Sequence, residues 1–490
     1  MEKAGARRFP HSMFDVSQFI KRVSMRPSKP LPQLSPLRTP HSALRTSEGS
    51  VLIVVLWIVF GLIAVTLYFA HTMSFELRAS DNRVAGLEAE QAIEGARRYF
   101  SCLLSNVNQP GVLPDGGTYL NEAVPIGNAH FWVIGRPLQQ DSTTVTTAHF
   151  GLIDESSKFN LNSVSSNILI NLPRMTPELV ANILAWRSTN TSSLSGGAES
   201  DTYMNVQPPY LCKNSPFETV DELRLIYNMD MDTLYGEDAN LNGILDPNEN
   251  DGDALAPTDN MDGQLDPGLF EYVTVYSREP STYTSTNSAG TVTNQTRFNI
   301  TTTNGISGLR SNLVTLFGQT RAQQMLPSNR SAAFTSPLQF FISQQVTQAE
   351  IPLIEASIRG SNIVGLINVN TASQTVLACI PGLDTGQAAT LVSYRQSNTN
   401  NLNGSIAWVT QALDSTSASL AGPYLTGRGY QFTADVAALG HNGRGYRRVQ
   451  FVYDTSQGAP VILYRRDLSS LGWALGKEVR DKWLLAKSTP

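Results

Sequence analysis

The residues with the clearest chemistry are a run of oxygen-bearing side chains between Asp238 and Glu249. Their spacing is that of an EF-hand-type loop, with side-chain oxygens at positions 1, 3, 5, 9 and 12 and a glycine at position 6. Calcium takes about six to eight oxygen ligands around a tight turn, and the backbone carbonyl at position 7 would be one of them. The predicted ligands of this first calcium loop (residues 238–249) are Asp238, Asn240, Asn242, Ile244, Asp246 and Glu249.

A second acidic cluster follows at residues 251–266. Its phrase DNMDGQLD repeats the pattern of the first loop around Gly263, but no glutamate stands at the twelfth place. A solvated acidic loop without an ion is the alternative interpretation. The candidate ligands of the second cluster are Asp251, Asp253, Asp259, Asn260, Asp262 and Asp266. The sequence therefore predicts one or two structural Ca²⁺ ions as the cofactor.

The formal net charge of −5 is distributed unevenly along the chain. Residues 1–49 carry nine basic and three acidic residues, whereas residues 230–271 carry twelve acidic residues and no Lys or Arg. Such closely spaced carboxylates repel one another unless cations bind among them. An acidic block also repels the phosphates of nucleic acid, so we expect no nucleic-acid partner.

Residues 51–70 form an uncharged apolar run, the only one of its kind in the 490 residues, which excludes a polytopic membrane protein. A helix of this length, rising about 1.5 Å per residue, spans a bilayer core of about 30 Å. Behind the run, small or apolar residues recur every three or four positions, at Ala85, Ala89, Ala92, Ala96, Tyr99 and Leu103. We therefore expect one long helix, in the membrane from Val51 to Ala70 and then packed on a globular head.

The junction between the basic leader and the apolar run resembles a type IV prepilin signal. That resemblance implies cleavage after Gly49, so that the mature chain begins at Ser50. An uncleaved signal anchor and a cleaved signal peptide are the alternatives. Most pilin-like subunits carry a glutamate at the fifth mature position, where this chain has Val54. A subunit at the tip of a fibre has no neighbouring N-terminal amine to neutralise a buried carboxylate, so the apolar Val54 suits a tip position.

An internal repeat aligns residues 159–188 with residues 367–396 at an offset of 208. Each copy predicts a short helix, a turn after a proline, and a second helix ending at Arg187 or Arg395. The pattern resembles helix-hairpin-helix modules, which bind DNA phosphate through turn glycines. Asp384 replaces one such glycine in the second copy, and the first copy has neither. Two structural helical subdomains are the preferred interpretation, and DNA binding is the alternative.

Strand-like segments flank the repeats, at residues 130–134, 143–153, 272–276, 431–439, 447–453 and 461–465. The order of long helix, strands, helical insertion and closing strands predicts an α+β fold. The chain lacks HExxH, GxSxG, P-loop and dinucleotide-binding motifs, which argues against an enzyme. Its three cysteines, Cys102, Cys212 and Cys379, lack the CxxC spacing of zinc sites and allow at most one disulfide.

Several longer phrases together resemble the general secretion pathway protein K family of type II secretion minor pseudopilins. They are DESSK (154–158), LPRMTPELVANILAWR (172–187), PFETVDELRLI (216–226), LYGEDANLNGILDPNENDGD (234–253) and DNMDGQLDPGLFEYVTVYS (259–277). The resemblance implies a pilin-like fold in which the long N-terminal helix packs on an antiparallel sheet that carries an inserted, calcium-binding helical domain. It also implies a non-catalytic subunit that caps the pseudopilus tip, initiates its assembly and takes part in export of folded proteins.

The resemblance further implies partners and a location. The expected partners are two other minor pseudopilins, the inner-membrane assembly platform and the prepilin peptidase. The expected location is the bacterial inner membrane, single-pass, with the globular domain in the periplasm. A minor pilin or DNA-uptake component is the alternative.

The expected domain boundaries follow from the same resemblance. They are residues 1–49 for the leader, 50–108 for the transmembrane and stem helix, 109–158 for the first part of the pilin-like sheet, 159–279 for the first helical subdomain with the calcium loops, 280–345 for a linker and connecting helices, 346–427 for the second helical subdomain, and 428–490 for the closing strands and tail.

Overall fold

The structure is a computed structural model and describes residues 49–107, 109–137, 147–189, 196–252, 254–255, 257–286, 292–327, 333–398 and 404–486. The helices are α1 (Gly49–Ser105), α2 (Ser166–Leu169), α3 (Pro177–Arg187), α4 (Ser200–Met204), α5 (Met231–Tyr235), α6 (Thr303–Met325), α7 (Pro337–Ser343), α8 (Ile351–Glu355), α9 (Gln374–Ala378), α10 (Thr385–Ser397), α11 (Val409–Ala412), α12 (Ser415–Ala421) and α13 (Gly476–Ala486). The strands are β1 (Val124–Ile126), β2 (Ala129–Ile134), β3 (Ile153–Asp154), β4 (Phe159–Asn160), β5 (Val273–Thr274), β6 (Thr282–Thr286), β7 (Val292–Thr296), β8 (Phe298–Asn299), β9 (Ile358–Arg359), β10 (Ile367–Asn368), β11 (Leu425–Thr426), β12 (Gln431–Leu439), β13 (Arg447–Asp454) and β14 (Val461–Asp467).

The chain divides into two compact units, Met1–Met73 and Ser74–Pro490, and α1 contributes residues to both. In the first unit, every side chain from Val51 to Ala70 is exposed. The helix is long and apolar enough to cross a membrane, and it is the one such helix in the described part of the chain. The leader, residues 1–48, lies outside the described residues.

In the second unit, the rest of α1 packs on one face of the sheet through the predicted small-residue stripe. Ala85, Ala89, Ala92 and Ala96 are completely buried, because alanine lets the helix backbone approach the strands closely. Phe100 continues the stripe and lies edge-on to Phe131 of the sheet, with ring centroids 6.4 Å apart. The predicted packing of this helix on a head is therefore confirmed.

The sheet is antiparallel, with the order β1-β2-β12-β13-β14 and with β3 also paired to β12. The central strand β12 is buried along its whole length, and it pairs with β2 over Asp435–Leu439 and with β3 over Phe432–Thr433. Strands β1 to β3 come from before the helical insertion, and strands β12 to β14 come from after it. This arrangement confirms the predicted α+β, pilin-like architecture with a large inserted helical domain.

Within the insertion, the two repeat copies have equivalent structures. Each begins on a strand of a two-stranded parallel pair, β4 with β5 and β10 with β11. Arg187 donates hydrogen bonds to the carbonyls of Leu161 and Val164, and Arg395 donates to the carbonyls at the same places 208 residues later, Val369 and Ala372. The arginine that ends each second helix therefore ties it back to the start of its own subdomain.

A third strand pair of the same kind lies between the two copies. Strand β8 pairs in parallel with β9, and Asn299 Oδ1 accepts the backbone N–H of Thr301 at 3.1 Å. Asn160 and Asn368 make the same turn with Asn162 and Asn370. The insertion thus contains, besides the two related subdomains, a third strand pair that opens with the same asparagine turn. The internal repeat of the sequence does not include this strand pair.

Two predicted strands differ in the structure. Of the predicted strand 143–153, residues 143–146 lie outside the described residues, and the remainder forms an isolated bridge at Phe150 and the short β3. Gly135 approaches Gly151 so closely that an added Cβ would lie 2.9 Å from its nitrogen. The predicted strand 272–276 contains only β5, which pairs with β4 inside the insertion and not with the main sheet.

Two further segments are more ordered than the sequence predicts. Residues 280–345, predicted to be a linker and connecting helices, contain the hairpin β6–β7, since threonines favour extended backbone. Residues 476–486, predicted to be a tail, form α13, and Trp483 packs on Trp132 with ring centroids 5.8 Å apart.

Candidate functional site

The first calcium loop follows α5 and turns sharply around its first predicted ligand, Asp238. The backbone has positive φ at Leu241 (57°) and Gly243 (70°), so that successive N–H groups point inward. Asp238 Oδ1 accepts the N–H of Asn242 at 2.9 Å, and Asp238 Oδ2 accepts the N–H of Gly243 at 2.8 Å. The predicted turn glycine is therefore required here by the backbone conformation.

The remaining predicted side chains converge on the same turn. Asn240 and Asn242 both donate their amide N–H groups to Asp246 Oδ2, at 2.8 and 2.9 Å. Their Oδ1 atoms accept backbone N–H groups of Asn242 and Ile244, and a carbonyl oxygen keeps a second lone pair for another partner. Glu249 accepts the N–H of Asp246 at 3.0 Å, which closes the loop. The structure thus brings together the residues that the spacing predicts.

Burial makes the carboxylates of the loop electrostatically costly. Asp238 and Glu249 are each 1% exposed. Burial raises the pKa of Asp238 to about 6 and that of Glu249 to about 9, the latter also through repulsion by Asp238. A buried carboxylate without a compensating charge is unfavourable, and a bound divalent cation would supply that charge.

The donor chemistry of this loop fits calcium. Carboxylate, amide and backbone oxygens are the ligands that this ion prefers. Within the described residues, no group of three or more His, Cys, Asp or Glu side chains could hold a metal ion by itself. The set at this loop depends on the asparagine amides and a carbonyl as well, and calcium binding stays a prediction.

Two arginines that the sequence pattern does not indicate bind backbone carbonyls on the outside of the loop. Arg448 of β13 is completely buried and donates to the backbone carbonyls of Asn240 and Leu241. Arg136, just after β2, donates to the carbonyls of Leu241 and Asn242. Both lie far from the loop in sequence, so no local pattern indicates them.

The second acidic cluster repeats the conformation of the first loop twenty residues later. Asp262 N–H donates to Asn260 Oδ1 and Gln264 N–H donates to Asp262 Oδ1, both within 2.8 Å. Asn260 donates its amide to Asp266 Oδ2 at 3.2 Å, as Asn240 does to Asp246. Asp259 accepts the N–H groups of Asp251 and Gly252 at 2.8 and 2.9 Å, and Asp253 lies outside the described residues.

Glu237 is a further residue of the second cluster that the sequence reading did not single out. It is 3% exposed and accepts the N–H groups of Asn260 and Asp266. Burial raises the pKa of this carboxyl. The adjacent residues Glu237 and Asp238 therefore serve neighbouring loops. Glu237 accepts the N–H of Asp266 as Glu249 accepts that of Asp246, so the glutamate missing from the twelfth place of the second cluster was the available signal.

The hairpins of the repeat do not present free helix N-termini. Thr176 Oγ1 accepts the N–H of Leu179 at 3.2 Å, and Asp384 Oδ1 accepts the N–H of Gln387 at 2.8 Å. Arg395 is 5% exposed, and burial lowers its pKa to about 10. Capped N–H groups and a buried arginine are poor groups for binding DNA phosphate.

The residues of the predicted processing site stand at the start of α1. Gly49 and Ser50 are its first two residues, and cleavage between them stays a prediction. Val54 lies in the exposed apolar part of the helix, with 57% of its surface accessible.

Comparison with known proteins gives one family match. Residues 157–235 match the family model of type II secretion system (T2SS) protein K, first domain. A solved structure also resembles the chain, the crystal structure of the GspK-GspI-GspJ complex from the enterotoxigenic Escherichia coli type 2 secretion system. That likeness has a TM-score of 0.36 and 10% identity, and it covers 81% of this chain and 98% of the other. No curated protein matches the chain.

The matched residues contain the first repeat copy, its arginine tie and the helices that lead to the first calcium loop. Two of the sequence phrases that resemble this family, residues 172–187 and 216–226, lie wholly within them. Residues 157–235 are thus similar to the first domain of type II secretion system protein K, and this match supports a minor pseudopilin of that type.

Proposed function

We propose that the chain is a non-catalytic subunit that caps the tip of the type II secretion pseudopilus. In this role it initiates assembly of the pseudopilus and takes part in export of folded proteins across the outer membrane. The observation that carries the proposal is the apolar Val54 in the membrane helix of a chain similar to protein K. A buried glutamate there would need a positive partner from a subunit ahead, and a tip subunit has none.

Substitution of Val54 tests the proposed tip position. Val54→Glu should reduce the number of assembled pseudopili several-fold, because the new carboxylate lies unpaired in lipid or in the fibre. Val54→Leu is the matched control and should assemble like the wild-type chain. Assembly of the Val54→Glu chain at the wild-type level would contradict the proposal.

We propose further that a prepilin peptidase removes residues 1–49 and that Ser50 becomes the mature N-terminus. The basic leader, Gly49 and the single apolar helix support this step. The mass of the chain after co-expression with the peptidase should correspond to residues 50–490, and a Gly49→Leu chain should keep its leader. An intact leader on the wild-type chain would leave a signal-anchored protein.

The proposed surroundings follow from this role. The membrane helix anchors the chain in the inner membrane with its head in the periplasm, where it meets the assembly platform and two other minor pseudopilins. The solved complex with a similar chain contains three components, GspK, GspI and GspJ. Co-purification of the chain from detergent-solubilised inner membranes with two other pseudopilins tests the partner proposal, and recovery of the chain alone would contradict it.

Calcium is proposed as the structural cofactor of the head. The ligands would be those of the first loop, with a second ion in the second cluster. The ion would supply positive charge to two buried carboxylates, Asp238 and Glu249, whose pKa values are raised by burial although Arg136 partly offsets this at Asp238. Binding to the folded loop alone would add the binding free energy to the stability of the fold.

The alternative of a DNA-uptake component is tested by the salt dependence of DNA binding. We expect the full chain in detergent to show no affinity for double-stranded DNA at physiological salt, because the hairpin N-termini are capped. Clear, salt-dependent binding would favour the alternative.

A further inference from the structure

Three successive carbonyls on the outside of the first calcium loop are held by side chains of the main sheet. Arg448 donates to the carbonyls of Asn240 and Leu241, the latter at 2.8 Å. Arg136 donates to the carbonyl of Leu241 at 3.3 Å and to that of Asn242 at 3.1 Å. The sheet and the inserted domain therefore meet at the backbone of the loop that would hold the ion.

Each arginine is fixed by a carboxylate of its own. Asp435 of β12 accepts from Arg448 Nε at 2.9 Å and from its terminal nitrogen at 2.6 Å. Glu271 accepts from Arg136 Nε at 2.9 Å and from its terminal nitrogen at 2.9 Å. Paired N–H groups of this kind fix the plane of a guanidinium as well as its position. Both arginines are thus held in place to receive the loop.

These ion pairs supply only part of the charge that the loop lacks. The positive charge of Arg448 is matched by Asp435, and that of Arg136 by Glu271. Arg136 also attracts Asp238 electrostatically, but neither Asp238 nor Glu249 forms an ion pair within the described residues. The arginine contacts and a bound cation consequently have different roles, because the arginines bind the outer carbonyls and the ion would bind the inward oxygens.

The two sets of contacts do not compete for atoms. In a loop of this type the side chains at positions 1, 3, 5, 9 and 12 and the carbonyl at position 7 bind the ion. The carbonyls bound by the arginines belong to positions 3, 4 and 5. An ion that orders the inward oxygens also fixes the direction of these outer carbonyls, since both belong to the same short turn.

We infer that Arg448 and Arg136 are positioning residues that couple calcium occupancy of the first loop to docking of the inserted domain on the sheet. The inference rests on the proposed calcium binding and names the residues that transmit it. Coupling between two binding events is reciprocal, so docking on the arginines raises calcium affinity and calcium strengthens docking. The proposal thus assigns the ion a role in joining two parts of the head, beyond holding one loop closed.

The test compares two conservative variants of the full chain in detergent. Arg448→Lys keeps the charge beside Asp435 but loses the forked donors, and should weaken calcium binding about 10-fold by titration calorimetry. Arg297→Lys is the matched control, because Arg297 pairs with Glu279 and donates to the carbonyls of Ile358 and Pro280, remote from the loop. It should bind calcium within about twofold of the wild-type chain.

Two outcomes separate the inference from the proposal on which it rests. Equal affinities in Arg448→Lys and Arg297→Lys would overturn the coupling while calcium binding stands. A wild-type chain that binds no calcium would overturn both.

If Arg448→Lys does not fold, hydrogen exchange in the wild-type chain tests the coupling instead. Calcium should slow exchange of the β12 and β13 amides around Asp435 and Arg448, and should leave the β6–β7 hairpin unchanged. Unchanged exchange at both strands would contradict the coupling.

Discussion

The first calcium loop and the second acidic cluster share a backbone conformation but differ in their surroundings. Both have positive φ at the equivalent residues, Leu241 and Met261 at 57° each, and Gly243 and Gly263 at 70° and 76°. The first loop is covered by the sheet, with Asn242 1% exposed, whereas Asp262 at the same place in the second cluster is exposed. The sequence pattern therefore determines the turn, and tertiary packing determines how strongly its carboxylates are desolvated.

This difference implies unequal dependence on calcium. In the first loop Asp238 and Glu249 are buried and form no ion pair within the described residues, while the described aspartates of the second cluster are half-buried or exposed and can be screened by water and salt. An ion should thus contribute mainly through the first loop. The predictions below test this inequality, beginning with the largest expected effect.

The largest effect is expected from the twelfth residue of the first loop. Glu249→Gln removes a bidentate ligand and should abolish the stabilisation by calcium, about 2.7 kcal/mol at an ion concentration a hundredfold above the dissociation constant. In chelator the variant should be at least as stable as the wild-type chain, because one buried carboxyl group next to Asp238 has been removed. Thermal unfolding with and without chelator measures both effects.

The control for this variant is Glu218→Gln, whose side chain is 83% exposed. It should respond to chelator like the wild-type chain. A wild-type melting temperature that chelator does not change would show that the first loop needs no ion.

The two turn glycines should respond differently to the same substitution. An alanine at either position would have to adopt the positive φ of the glycine, which costs about 1 kcal/mol of folding free energy. At Gly243 the new Cβ would also lie 2.7 Å from Arg136 Nε, whereas nothing lies within 4 Å at Gly263. Gly243→Ala should therefore destabilise the chain by about 1–3 kcal/mol more than Gly263→Ala in urea unfolding. Equal losses of stability in the two variants would contradict the closer packing around Gly243.

A smaller effect is expected at the ninth position. Asp246→Asn should lower the affinity of the tighter calcium site, whereas Asp266→Asn should leave that site unchanged and affect only a weaker one. Titration calorimetry separates the two sites by affinity and stoichiometry. A larger loss of tight binding in Asp266→Asn than in Asp246→Asn would mean that the second cluster holds the tighter site.

Much of this arrangement was predictable because its signals are local. The ligand spacing of residues 238–249 predicts the turn, and the alanine stripe of α1 predicts the face that packs on the sheet. Glu237, Arg136 and Arg448 were missed because their contacts with the loops depend on tertiary packing. The β8–β9 unit was missed because one asparagine turn is too short to stand out in a sequence.

A third region, around His441, contrasts with both loops because its charges are paired within the chain. Its ring nitrogens contact Asp81 at 2.8 Å and Glu88 at 2.7 Å, and these hydrogen bonds raise the pKa of His441. Because the pKa of His441 is higher in the folded chain than in the unfolded chain, where it is about 6.5, the protonated ring stabilises the fold. This contribution is complete at pH values below the unfolded pKa and is lost as the pH rises through the folded pKa.

The smallest effect is expected there. His441→Gln should destabilise the chain by about 1 kcal/mol or less at pH about 6, and by less at pH about 9. This pH dependence should be the same with and without chelator, since no ion is needed. A variant whose deficit grows with pH would contradict the assignment of a charged histidine. Thermal unfolding of both chains at the two pH values measures it.

The central claim is the place of this subunit in the pseudopilus. It is tested most directly by gold labelling of an epitope added to the C-terminus of the full chain, in cells that assemble long pseudopili. A tip-capping subunit predicts label at one end of each fibre and none along its length. Label distributed along the fibres, or fibres of normal number and length in cells that lack the chain, would contradict the account.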